Sequence, residues 1–218
     1  MKKNIKSEII ILFIALLPLL YLASIWNSLP EKVPMHWNIE GKIDRYGSKQ
    51  QLIWLTLLMP LLTYLIITFI PKIDPKNQLA KMGNKYESFK FFLVLFMSIL
   101  TVIIIYSAKT GELFNAKYII IAIAGLFMVL GNYMKTIKPN YFIGIRTPWT
   151  LENEEVWKQT HYIASYLWFW GGLLSIIVIL LLPEKTGYYF FTAIMLIITL
   201  IPLAYSYWYY QKIKKEKV

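Results

Sequence analysis

No cysteine occurs anywhere in this chain of 218 residues, which excludes disulfides and thiolate chemistry and leaves loops to be held by packing and hydrogen bonds. Histidine is scarce too, His36 and His161 being the only two. No nucleophile beside its base, no phosphate-cradling glycine loop and no multi-ligand metal cluster can be picked out, so the sequence offers no catalytic residues and calls for no metal or other cofactor. The most informative absence is of charge. No charged residue lies between Glu8 and Glu31, Lys49 and Lys72, Lys90 and Lys109, Lys117 and Lys135, or Lys158 and Glu184, and none follows Lys185 as far as Gln211.

What fills these runs is Leu, Ile, Phe and Tyr, in a chain that is 57% hydrophobic with a mean hydropathy of +0.50. Each run is close to or above the roughly 20 apolar residues a helix needs to cross a hydrocarbon core of about 30 Å. A soluble protein of this size could not bury six such segments in one small core. Lipid offers no water to unpaired backbone groups, so the spans are expected to be helices. The fold class is therefore an all-α integral membrane protein, a bundle of six transmembrane helices.

Basic residues set the expected orientation, because 16 of the 23 fall in alternate connections. Lys2, Lys3 and Lys6, the segment from Lys72 to Lys90, the segment from Lys135 to Lys158, and the C-terminal lysines share one side. By the positive-inside rule both termini and the connection 135–159 are cytoplasmic, and the loop 29–50 is extracellular. The net charge of +11 is then accounted for by an anionic inner leaflet, with membrane lipids as partners and no direct nucleic acid. The apolar run from Ile9 to Trp26 is long for a signal peptide and lacks a good cleavage site, so it is read as the first helix. Two regions are expected: 1–71, a two-helix unit carrying the extracellular loop, and 72–218, a four-helix unit carrying the cytoplasmic loop. Pro18, Pro60 and Pro202 fall inside spans, where each removes a backbone donor and favours a kink.

The extracellular loop contains Pro34, His36, Trp37 and Asp44. Val33, Met35, Trp37 and Ile39 alternate with more polar positions, as in a short extended segment, with Gly41 and Gly47 read as turns. His36 with Glu31, Glu40 and Asp44 could hold a metal, but one histidine among scattered acids fits a structural role at the membrane interface better. An extended segment with free edges is also a place where a peptide could add itself as a strand.

In the cytoplasmic connection, Asn140, Gly144 and Pro148 punctuate the backbone while Arg146, Thr147 and Trp149 supply a charge, a hydroxyl and an amphipathic ring. Thr150 is placed as an N-cap, with Glu152, Glu154 and Glu155 in the opening turns of a helix running unbroken into the fifth span. Trp149, Trp157, Tyr162, Trp168 and Trp170 would give that helix end an aromatic face at headgroup level. Arg146 could hold a lipid phosphate, pair with one of the glutamates, or tie down loop carbonyls. His161 reads as a hydrogen-bonded packing residue, since a lone titratable group without an intramembrane carboxylate makes a poor proton relay.

Gly131-Asn132, Lys138-Pro-Asn140, Gly144-Ile-Arg-Thr-Pro-Trp-Thr-Leu151, Glu155-Val-Trp157 and His161 together resemble the signature of the SdpI family of bacterial membrane proteins. Leu29-Pro30, Val33-Pro-Met-His-Trp-Asn38, Gly41 and Asp44 are similar to the small domain of unassigned function that often precedes it. Tyr162 departs from the pattern, which often has a basic residue there. The resemblance implies a multi-pass protein of the bacterial plasma membrane that protects its cell from a secreted antimicrobial peptide. It also implies signalling, with a cytoplasmic transcriptional repressor drawn to the membrane. The positions it would mark are Asn140, Gly144, Arg146, Thr147, Pro148, Trp149 and Trp157. A membrane enzyme or a small transporter acting on lipid or envelope material is the other class open. The enzyme would require His36, Glu40 and Asp44, or Arg146 and His161, to converge on one centre.

Overall fold

The computed structural model describes residues 5–38, 42–112 and 114–216. Six helices are long and apolar enough to cross a membrane: Ile5–Ser28, Gln50–Ile73, Asn84–Thr110, Ala116–Met134, Glu154–Leu181 and Glu184–Glu216. In none of them is more than 33% of the most apolar window buried, so at least two thirds of the residues in each window keep some surface uncovered by the rest of the protein. Ile9, Phe13, Leu58, Ile66, Leu180, Leu196 and Ile197 are among the exposed side chains, an arrangement that water would not tolerate and lipid favours. The chain is an all-α, six-span membrane protein.

The elements are α1 (Ile5–Ile25), strands β1 (Lys32–Trp37) and β2 (Ile43–Ser48), α2 (Gln50–Thr56), α3 (Leu62–Ile73), α4 (Asn84–Thr110), α5 (Ala116–Met134), a short α6 (Pro148–Glu152), α7 (Glu154–Leu181) and α8 (Glu184–Glu216). Between α2 and α3 the helix widens into a π turn over Leu57–Leu61 that contains Pro60. Proline cannot donate to the carbonyl one turn back, and the extra residue in the wider turn accommodates its ring. Pro18 and Pro202 lie inside α1 and α8, and Pro71 inside α3.

The chain forms two compact units, one from Lys2–Thr68 with Lys90–Ile119, the other from Phe69–Phe89 with Ile120–Val218. In the first, Leu22, Ile25, Leu29, Val33, Leu52, Ile105 and Ala108 form a cluster that seats the β-hairpin on helix ends. A second cluster, Ile11, Ala15 and Val94, joins α1 to α4, and the Ser98 hydroxyl donates to Ile14 O at 3.0 Å. Near it lies a pair of charges, Glu8 and Lys90, that in the sequence bound two different charge-free runs. Lys90 Nζ donates to Glu8 Oε1 at 2.5 Å, and the Tyr64 hydroxyl donates to Glu8 Oε2 at 2.9 Å.

The other unit is organised by the close approach of α5 and α7. A Cβ on Gly131 would stand 2.6 Å from Phe169 N, and one on Gly172 would stand 2.6 Å from Ala124 O. Small residues let helix backbones meet where no hydrophobic effect drives them together. Gly131→Ala and Gly172→Ala are each expected to lower the thermal stability of the detergent-purified protein by about 1–3 kcal/mol, because backbone cannot move aside cheaply. Gly125→Ala, with nothing within 4 Å of its new methyl, serves as the control and should not lower the unfolding midpoint, since alanine is the better helix former. α8 is tied to α7 by the Trp168 indole N–H, which donates to Ile198 O at 3.0 Å. In the connection after α3, the buried Asp74 carboxylate accepts from the backbone N–H groups of Lys76, Gln78 and Leu79, so this lysine-rich stretch is an ordered turn.

Candidate functional site

The motif loop is built around Asn140, which is fully buried. Its Oδ1 accepts from Phe142 N at 2.8 Å and Ile143 N at 2.7 Å, and its Nδ2 donates to Lys138 O and Ile143 O, both at 2.9 Å. Every polar position of the amide is used, so the side chain acts as a template for the backbone folded around it. Arg146 Nη1 donates to Tyr141 O at 2.5 Å. Of the three roles open to Arg146, the structure shows the tie to a loop carbonyl, on a residue that is exposed.

Gly144 has φ +111°, and a Cβ there would fall 2.4 Å from His161 Nε2. The glycine thus meets two demands: a backbone conformation that side chains disfavour, and room for the imidazole. The next backbone N–H, of Ile145, donates to His161 Nε2 at 3.0 Å, and His161 Nδ1 lies 2.8 Å from Trp157 O. An acceptor at Nε2 requires the proton at Nδ1, so both ring nitrogens are satisfied by the neutral tautomer. His161 is 1% exposed and stacks on Trp157 at 4.1 Å between ring centroids. Trp157 Nε1 donates to Ile137 O at 2.7 Å, closing the loop onto the end of α5.

Helix starts within the motif differ from the sequence expectation. Thr147, not Thr150, caps α6, with Pro148 in its first turn: Thr147 Oγ1 accepts from Thr150 N, and Thr150 Oγ1 accepts from Thr147 N at 2.9 Å. Thr150 therefore takes the reciprocal place usually held by Glu or Gln in a capping box. The helix does not run on into the fifth span. It stops at Asn153, whose side chain accepts from Glu155 N and Val156 N and starts α7 afresh. Both starts were legible, Thr-Pro as cap and first helical residue and Asn-Glu-Glu as cap and acidic first turn.

Thr147 also reaches α8, its hydroxyl lying 3.1 Å from Ser206 Oγ, and the half-buried Trp149 ring packs on Tyr207 at 4.9 Å. The expected aromatic face does not form as one surface. Trp157 is buried in the cluster of Met134, Ile137, Ile145 and Ala164, and Trp168 packs against that cluster, whereas Tyr162 and Trp170 are exposed. Burial here follows the turn of α7, which carries Trp157 and His161, four apart, on its inner side. The structure thus brings Asn140, Gly144, Thr147, Trp157 and His161 into one hydrogen-bonded knot, with Arg146, Pro148 and Trp149 on its rim.

In the other unit, β1 and β2 form an antiparallel hairpin whose register shifts between Pro34 and His36 and between His36 and Trp37. Pro34, buried and lacking an N–H, sits opposite Tyr46 next to that irregularity. Gly47 is not a turn residue: it lies in β2 opposite Val33, where a Cβ would meet Gln51 Oε1 and Met35 Cγ. Ile39, Glu40 and Gly41 lie outside the described residues. His36 Nδ1 is 2.6 Å from Asp44 Oδ1, on the exposed side of the hairpin, and Trp37 is half-buried. Glu31 pairs instead with Lys49 at 2.8 Å. Among the described residues no group of three or more His, Asp or Glu side chains is placed to hold a metal ion.

Residues 136–206, which contain the knot, match the family model described as SdpI/YfhL protein family. Residues 13–63, which contain the hairpin, match one described as a domain of unknown function, DUF1648. The chain is 31% identical over 220 residues to the Immunity protein SdpI of Bacillus subtilis (strain 168), covering 100% of both chains. No solved structure matches.

Proposed function

The chain belongs to the SdpI/YfhL protein family, and from that membership we propose that it is an immunity protein of the bacterial plasma membrane that protects its own cell from a secreted antimicrobial peptide. The observation that carries this reading is the similarity to an immunity protein along the whole length of both chains, hairpin and knot included. The hairpin supports an outward role in meeting the peptide. It has two strands only, so each keeps an unpaired edge on which an extended peptide could add a strand.

The knot supports an inward role. With the motif side in the cytoplasm, its exposed rim of Arg146 and Pro148 is the surface that draws a transcriptional repressor to the membrane. Such signalling requires the peptide to bind two arrangements of the bundle unequally, and the bonds from Thr147 to Ser206 and from Ile145 to His161 are where two arrangements could differ.

The test is survival of a sensitive bacterium making this protein, challenged with sporulation-delaying toxin and related peptides at matched membrane levels. Wild type should protect. Asp44→Ala, which removes the carboxylate facing His36, should reduce protection, while Arg146→Ala should keep it and lose relocation of a fluorescent repressor. Absence of protection by wild type against every peptide would sink the immunity reading.

A further inference from the structure

Beside the knot lies a cleft of about 620 Å³ whose charged lining is Lys85, Lys135, Lys138 and Lys158 with Glu154 and Glu155. Four lysines against two glutamates leave it electropositive, and Glu155 Oε1 is engaged by Gln159 Nε2 at 2.8 Å. Among the described residues, none of these lysines is in an ion pair. Three of them mark span ends: Lys85 is the second residue of α4, Lys135 follows the last residue of α5, and Lys158 is in the second turn of α7. Two crossings separate the start of α4 from the end of α5, so these ends share one membrane face, the one that the basic-residue asymmetry assigns to the anionic leaflet.

A second depression, of about 210 Å³, shares Lys135 with the cleft and runs between α5 and α7, lined by Gly131, Ser165, Phe169 and Trp170. Gly131 is one turn deeper into the span than Lys135, and Phe169 and Trp170 lie two turns beyond His161. A basic cleft at headgroup depth therefore adjoins, at Lys135, a mostly apolar groove at acyl depth whose polar lining is Asn132, Ser165 and Tyr166.

We propose that this pair of cavities binds one anionic phospholipid, with its phosphate among Lys85, Lys135 and Lys138 and the start of an acyl chain along Phe169 and Trp170. Lysine ammonium groups supply charge without fixed geometry, which suits a phosphate diester in a mobile headgroup. The groove separates this ligand from a free phosphate, which would have no use for it.

The experiment is native mass spectrometry of the full chain in neutral detergent, titrated with phosphatidylglycerol, phosphatidylcholine or sn-glycerol 3-phosphate. Phosphatidylglycerol should be retained and phosphatidylcholine lost at the same activation. The triple variant Lys85→Gln, Lys135→Gln, Lys138→Gln should bind phosphatidylglycerol on the order of tenfold or more weakly, each lysine near a membrane surface contributing substantially. Lys109→Gln with Lys117→Gln, in the connection at the far end of α4, should bind as wild type does, and size-exclusion profiles confirm that both variants are folded. Equal retention of the two lipids, or undiminished binding by the triple variant, overturns the proposal. Binding of glycerol 3-phosphate as tight as that of the lipid overturns the lipid assignment.

Discussion

Gly144→Ala is expected to open the knot and destabilise the protein by roughly 2–4 kcal/mol, the sum of a disfavoured backbone conformation at about 1–3 and a lost buried hydrogen bond at about 1. The φ of +111° is one cause, and the contact of the new methyl with His161 Nε2 is the other. To relieve it the imidazole must tilt, which separates Nε2 from Ile145 N and disturbs the stacking on Trp157. Thermal unfolding followed by tryptophan fluorescence in detergent reads both effects. The double variant Gly144→Ala, His161→Ala separates them: it removes the clash and keeps the backbone strain, so its loss should be smaller than the sum of the two single losses. Additive losses would show that the glycine is needed for its backbone angle alone. An unchanged midpoint for Gly144→Ala would refute the account.

Lys90→Met should be about as damaging, costing about 3–5 kcal/mol, because it removes the counter-charge from a carboxylate largely enclosed by helices. The Lys90 side chain is 1% exposed and that of Glu8 14%. Glu8→Gln with Lys90→Met together should recover most of the loss, since an amide can still accept from the Tyr64 hydroxyl without carrying charge into the apolar surroundings. Membrane yield and unfolding midpoint of the two variants decide it. A double variant as weak as Lys90→Met alone would mean that packing of the lysine stem, not its charge, is what matters there.

The sequence was readable to different depths along the chain. The Lys138 to Leu151 segment identified itself as a structured motif by its density of Asn, Gly, Pro and Thr, residues whose side chains and backbone angles organise turns. Which of them touches which could not be read. The partner of Gly144 is His161, on another element, and the partner of Trp157 is the carbonyl of Ile137, so the knot closes through bonds between residues 16 and 20 apart. The expected cap at Thr150 lies three residues past the real one, although Thr147-Pro148 and Asn153-Glu154 carry the signal, because one helix running unbroken into the fifth span is the simpler pattern. The second strand was missed because Ile43 to Ser48 has no sharp alternation, and its pairing comes from β1 rather than from its own propensity.

By itself the sequence determined the solvent and the number of crossings, since six charge-free runs have no stable alternative to helices in lipid, and that follows from length and polarity alone. Tertiary structure decided where the scarce polar groups go. Glu8 and Lys90 stand 82 positions apart and bound different charge-free runs; only packing of α1 against α4 makes them a pair. His161 and Gly144, likewise, become one contact only when α7 returns beneath the loop. In a low-dielectric interior each polar group must find a specific partner, and the partner is set by which helices meet, a relation that local pattern does not encode.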